Sequence, residues 1–166
     1  MKTGLVLEGG GKRGIYAAGV LDVLLENDIW ADGLIGTSAG AVNGCSYVSN
    51  QYERNLRYNI RFAKEKKYMS IYSLITTGNV VGTDFAYNIL PNKLEVFDYD
   101  AFEKSPVDYY VTCSNVETGK AEYIQCKSLR GKNMDYLRAS ASLPYVSQIV
   151  EIDGKKYLDG GICDSI

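Results

Sequence analysis

The stretch LIGTSAGAV, residues 34–42, contains Gly36-Thr37-Ser38-Ala39-Gly40. This G-x-S-x-G spacing suits a serine nucleophile on a sharp strand-to-helix turn. The residues two before and two after the serine must be small, because strand and helix approach closely there. Ser38 would then open a helix whose dipole favours a developing alkoxide. A Ser–His–Asp triad is excluded, because the chain has no histidine. Either Ser38 is a turn residue, or its base is an Asp, Glu, Lys, Tyr or thiolate. The best-placed candidate is Asp159 in YLDGG, residues 157–161. It follows a short strand, and Gly160 and Gly161 let the chain turn sharply beside a crowded site. Taken alone, Asp-Gly reads first as a turn signal.

A second glycine motif, EGGGKRG, occupies residues 8–14. Gly9, Gly11 and Gly14 match G-x-G-x-x-G between a strand and a helix, the context of a dinucleotide-binding loop. Such a fold also wants an acidic residue ending the second strand, and here that strand ends in Gly36-Thr37-Ser38. The same outward N–H groups could stabilise the oxyanion of an acyl-transfer intermediate. On that reading the donors lie near Gly10 and Gly11, with Ala39 N–H adding one. A tight turn that only lets the helix pack is the third reading. The two glycine motifs sit on consecutive strand–helix junctions, at the carboxyl end of a parallel sheet where ligands bind in such folds. Together they favour a serine acyl hydrolase.

The elements that must carry these motifs follow from hydrophobic periodicity. TGLVL (3–7) reads as a buried strand, and 13–26 as a helix with Ile15, Ala18, Leu21 and Leu25 on one face. A second strand (33–36) and helix (39–49) follow, an order that argues for a parallel sheet with helices packed on it. Residues 51–67 suit a third helix. There Arg54, Arg57, Arg61 and Lys64 form a stripe, with Tyr52, Leu56, Ile60 and Ala63 on a different face. The stripe suits a solvated face or an anionic membrane surface. Residues 68–100 are less regular, with a capped short helix at 83–90. The segment 68–79 could line a pocket, act as a lid or belong to the core. Residues 107–115 and 120–126 read as a strand pair, 133–142 as a helix stopped by Pro144, and the end as two short strands around Asp153-Gly154.

Composition narrows the function. The chain has 166 residues, 46% hydrophobic and 23% charged, consistent with one globular domain. A net charge of -2 gives no global attraction to nucleic acid or to anionic membranes, so no nucleic-acid partner is expected. The N-terminus lacks the pattern of a signal peptide, and no apolar run suits a bilayer span. Cys45, Cys113, Cys126 and Cys163 show no C-x-x-C spacing. They read as reduced core residues of a cytoplasmic protein, and no metal site is expected.

With GGGKRG, GTSAG and DGG in that order, the chain resembles the patatin-like phospholipases, lipid acyl hydrolases with a Ser–Asp dyad. RASASLPYV (138–146) also resembles that family's A-S-x-A-x-P segment. The resemblance runs from Leu5 to Gly161. It implies an α/β three-layer sandwich with a mostly parallel central sheet. Carried over by position, Ser38 corresponds to the nucleophile and Asp159 to the base. Gly9, Gly10, Gly11 and Arg13 correspond to the oxyanion loop, and Gly14, Gly36, Gly40, Gly160 and Gly161 complete the motifs. The implied reaction is acyl-ester hydrolysis through an acyl-enzyme, without metal or cofactor, on a phospholipid or lysophospholipid, with peripheral contact to a membrane surface. Family domains continue past the Asp-Gly motif, so residues 1–166 are expected to form a single domain truncated at its C-terminal end. The rival readings are a nucleotide-binding module on Gly9, Gly11 and Gly14, and a noncatalytic lipid-binding domain.

Overall fold

The computed structural model describes residues 1–165. Strand β1 (Gly4–Leu7) leads through a single 3-10 turn (Gly11–Gly14) into α1 (Ile15–Glu26). Strand β2 (Gly33–Thr37) leads directly into α2 (Ala39–Val48). Helices α3 (Arg54–Arg61), α4 (Ile71–Thr77), a π-helix (Phe85–Leu94) and α5 (Tyr99–Lys104) follow. The chain then forms β3 (Asp108–Asn115), β4 (Lys120–Gln125), α6 (Asn133–Ser140), β5 (Val150–Ile152) and β6 (Lys155–Asp159), and a last 3-10 turn (Gly160–Ile162).

This is an α/β fold whose central strands run parallel: β1 pairs with β2, and β2 with β3, in parallel register. The sheet order is β1-β2-β3-β6-β5, with β4 antiparallel on β3. The edge shared by β2 and β6 decides the site. The first half of β3 pairs with β2 up to Thr37↔Thr112, and its second half pairs antiparallel with β6 from Cys113↔Asp159. The carboxyl ends of β2 and β6 therefore meet head to head, with Ser38 just beyond one and Asp159 ending the other.

Both crossovers step the same way along the sheet, so right-handed connections lay α1 and α2 on one face. The main core lies there, with Leu7, Leu34, Val111 and Tyr109 buried under α2. Gly44 lets α2 come down onto the strands, for a Cβ there would sit 2.7 Å from Leu34 Cδ2. The Tyr109 hydroxyl donates to the Ala41 carbonyl at 2.6 Å and ties the helix to β3. On the opposite face Val6 and Tyr123 are half exposed. A smaller cluster of Tyr58, Phe85 and Leu90 stands apart from the main core and joins α3 to the π-helix.

Several elements depart from expectation. The helix expected over 51–67 is only Arg54–Arg61. Glu53 precedes it in a left-handed conformation (φ 55°), with its N–H held by the Asp22 carboxylate, so the chain turns before the helix can start. The arginine stripe is not one solvated face. Arg54 is buried, and Ile60, expected on the apolar side, is 66% exposed. The short helix expected at 83–90 runs on as a π-helix to Leu94, through Pro91. A wider helical turn accommodates a proline whose missing N–H would break an α-helix. Helix α5 was not anticipated, although Asp98 caps it by accepting from Ala101 N–H at 2.8 Å. Three cysteines are buried as expected, but Cys163 is exposed, because it lies in the last turn beyond the sheet.

Candidate functional site

Ser38 has φ 54° and ψ -122°, the strained backbone of an elbow between β2 and α2. Close packing enforces it. A Cβ at Gly36 would sit 2.5 Å from Ala41 Cα, and one at Gly40 only 2.2 Å from the Leu7 carbonyl oxygen. Both glycines are therefore demanded by backbone-to-backbone contact. The Ser38 N–H donates to the Ser140 hydroxyl at 2.8 Å. Ser140 is fully buried on α6, within the RASAS segment.

Asp159 arrives from the other direction. Its N–H donates to the Ser142 carbonyl, and its own carbonyl accepts from the Ser114 hydroxyl. The carboxylate accepts two hydrogen bonds: Ser38 Oγ donates to Oδ2 at 2.7 Å, and Gly161 N–H donates to Oδ1 at 2.8 Å. Asp159 is 2% exposed. Burial raises its pKa above the usual carboxylate value, while the bonds from Ser38 and Gly161 pull it back in part. Gly160 is required beside it, since a Cβ there would meet the Thr112 carbonyl oxygen at 2.2 Å.

The glycine loop reaches the same point. A Cβ on Gly9 would lie 3.1 Å from Ser38 Cβ, and one on Gly14 would lie 2.9 Å from Ala39 Cβ. Gly11 has φ +54°, a left-handed turn with open space around it. Arg13 N–H is taken by the Gly10 carbonyl, closing the 3-10 turn. As the opening donors of that turn, the N–H groups of Gly11 and Lys12 have no partner within it. Of the residues expected here, Gly9 lies against Ser38 and Gly14 against Ala39, Gly11 lines the same cavity as Ser38, and Gly10 packs within its own turn. The Arg13 side chain is exposed and outside the cavity wall, where Lys12 stands instead.

A cavity of about 210 Å³ opens at Ser38. It runs beside α2 past Val42 and Cys45, and is walled by Tyr68 and Met69, the π-helix, and Leu137 of α6. Of the segment 68–79, Tyr68 and Met69 thus line the cavity. Helix α4 instead holds Ile71, Tyr72 and Ile75 out to solvent. Cys45 is no competing nucleophile, because burial pushes its thiol pKa up to about 11. Among the described residues no group of three or more His, Cys, Asp or Glu side chains could hold a metal ion. None of their helices is long and apolar enough to cross a membrane.

Sequence reasoning missed Ser140 and the inner cavity wall. RASASLPYV stands out as a motif, but nothing in its residue types singles out the serine that accepts the elbow N–H.

A cavity-fed serine paired with a buried aspartate, on an elbow beside a glycine loop, defines a class, and comparison with known proteins agrees. The family profile of the patatin-like phospholipases matches residues 5–166. The chain belongs to that family. It is 29% identical to the uncharacterized protein YjjU of Escherichia coli, over 99% of this chain and 47% of that one. It is 30% identical to lysophospholipase nte1 of Aspergillus oryzae, over 99% of this chain and 10% of that protein. Among solved structures VipD of Legionella pneumophila shares the fold, with TM-score 0.52 at 16% identity, covering 99% of this chain and 47% of that one. The chain thus spans about half the length of YjjU and a tenth of nte1.

Proposed function

We propose that this chain hydrolyses acyl esters of lipids, with Ser38 as nucleophile and Asp159 as general base. The observation that carries the reading is the 2.7 Å hydrogen bond from Ser38 Oγ to Asp159 Oδ2, beside a cavity that Ser38 lines together with mostly apolar side chains. Ser38 Oγ attacks the ester carbonyl carbon and passes its proton to Asp159. The oxyanion takes hydrogen bonds from the loop N–H groups near Gly10 and Gly11, and from Ala39 N–H at the start of α2. Collapse of the tetrahedral intermediate expels the alcohol, which takes the proton from Asp159. Water, deprotonated by Asp159, then attacks the acyl-enzyme and releases the fatty acid. An ordinary aspartate, with pKa ~4, is a weak base for a hydroxyl. Burial strengthens this one, and the elbow holds the hydroxyl in place for it.

Lysophospholipid is the proposed substrate class, supported by membership of the family and by the likeness to lysophospholipase nte1. Exposed Ile71, Tyr72 and Ile75 on α4, next in sequence to the cavity-lining Tyr68 and Met69, would rest on a lipid surface. The test is release of fatty acid from a lysophospholipid in excess EDTA. The chain should turn over, and Ser38→Ala should not. Full loss of activity in EDTA, restored by one added cation, would contradict the metal-free mechanism.

A further inference from the structure

The inner end of the cavity is not apolar. Arg54 lines it and is 4% exposed. Its guanidinium donates from Nη2 and Nε to the Glu95 carbonyl at 2.9 and 3.3 Å, and from Nη1 to Ser46 Oγ at 3.3 Å. It also lies over the rings of Tyr58 and Phe97, 5.5 and 5.1 Å from their centroids. None of these partners is an anion. The Glu95 carboxylate is engaged by Arg57, and among the described residues no carboxylate forms an ion pair with Arg54. An arginine carries five N–H donors, of which three are used here. A buried cation without a counter-charge is costly unless something else supplies one.

Three phenols share this cavity. Tyr58, Tyr68 and Tyr87 all line it, and no hydrogen bond from their hydroxyls to another described residue is found. Burial raises the pKa of each, Tyr68 to about 12, so all three remain protonated donors at neutral pH. Between this end and Ser38 the lining is mostly apolar, with Val42, Leu90 and Leu137 beside Asn43 and Cys45. The distance follows from α2: eight residues separate Ser38 from Ser46, roughly 12 Å at ~1.5 Å per residue. That is the span of a medium-length acyl chain.

We propose that the cavity accepts an acyl chain whose far end carries an anionic oxygen group, such as an ω-carboxylate, held by Arg54 and the hydroxyls of Tyr58 and Tyr68. The inference rests on the reading of Ser38 as the acylated residue, and it names the acyl chain that residue receives. The anion belongs to the acyl chain because the mostly apolar lining separates Arg54 from Ser38. A hydrated headgroup phosphate would remain at the mouth, near Lys12.

The test is binding, so it does not depend on turnover. Methyl decanoate and monomethyl decanedioate differ only in the terminal carboxylate. Their affinities for the Ser38→Ala chain are compared by calorimetry, with Arg54→Gln, Tyr58→Phe and Tyr68→Phe added singly. The dioate ester should bind about tenfold tighter or more, the scale of one charge-assisted contact. Arg54→Gln should abolish the preference, and each phenylalanine should reduce it severalfold. If Arg54→Gln fails to fold, the two tyrosine variants, which keep ring and volume, decide. Equal affinities, or a preference that survives these substitutions, overturn the proposal while leaving the Ser38–Asp159 reading intact. So does an Arg54-dependent preference for decanoylglycerol phosphate over decanoylglycerol, which would place the anion on the leaving alcohol. Loss of Ser38 reactivity with the binding preference retained would instead fail the hydrolase reading alone.

Discussion

The elbow and the inner cavity wall lie within one cavity but are built by different physics. Around Ser38 the chain is positioned by backbone touching backbone: α2 against β1 at Gly40, and the last turn against β3 at Gly160. Such contacts leave no room for a Cβ, so they write themselves into the sequence as glycines at fixed spacing. The inner wall is positioned by side chains: a small cluster joins α3 to the π-helix, and Arg54 lies between Tyr58 of that cluster and Phe97 of the main core. Aromatic rings and one arginine can meet there from many spacings. The first region is rigid and position-specific. The second can be repacked.

The comparison is most exposed to failure at Asp159. Asp159→Asn keeps the size of the side chain but removes the base. Turnover should fall by about 10²–10⁴-fold, the usual contribution of a general base. The effect on stability has the opposite sign. Burial raises the folded-state pKa of Asp159. Between its ordinary and its raised pKa the folded protein binds more protons than the unfolded one, so stability falls as pH rises through that window. The asparagine variant escapes this loss. It should melt at or above the parent temperature at neutral pH, with the difference shrinking as pH falls below the raised pKa. Thermal melts across acid to neutral pH check both the sign and the window.

Backbone contact at the elbow should come next. Gly40→Ala places a Cβ against the Leu7 carbonyl and should cost at least ~1–3 kcal/mol, the usual penalty of overpacking. Ser140→Ala leaves the buried Ser38 N–H without its acceptor. It should cost about 1–3 kcal/mol in denaturant unfolding. At the other extreme, Ile75→Ala on α4 should change stability by no more than ~0.5 kcal/mol, because Ile75 is 79% exposed. A lower rate on lipid vesicles with an unchanged rate on a soluble ester would then place α4 at the lipid surface. Should Gly40→Ala prove as mild as Ile75→Ala, the contrast between the two regions would be wrong.

What could be read from the sequence follows this same division. Strands β1 and β2, the glycine loop and the elbow are consecutive in the chain, and their glycines have single steric reasons. The meeting of Ser38 with Asp159 spans 121 residues, yet it was legible, because the ordered motifs resemble those of a known family. The region from 51 to 106 is less legible. A left-handed Glu53 cut α3 short, and Arg54, at the helical spacing of a surface stripe, turned inward onto Tyr58 and Phe97. Neither helical periodicity nor charge could reveal that, since two of the groups that hold Arg54, the Glu95 carbonyl and the Phe97 ring, come from about forty residues further on. Helix α5 carried a legible cap in Asp98, but only six residues of pattern behind it.

A fluorophosphonate probe reports whether Ser38 is a nucleophile activated by Asp159. The probe phosphonylates an activated serine and releases fluoride. A single adduct is expected on the peptide containing Ser38, none on Ser38→Ala, and labelling slowed by orders of magnitude on a folded Asp159→Asn variant. Labelling of Ser38→Ala at the parent rate, or an Asp159→Asn variant that labels as fast as the parent, would contradict that assignment.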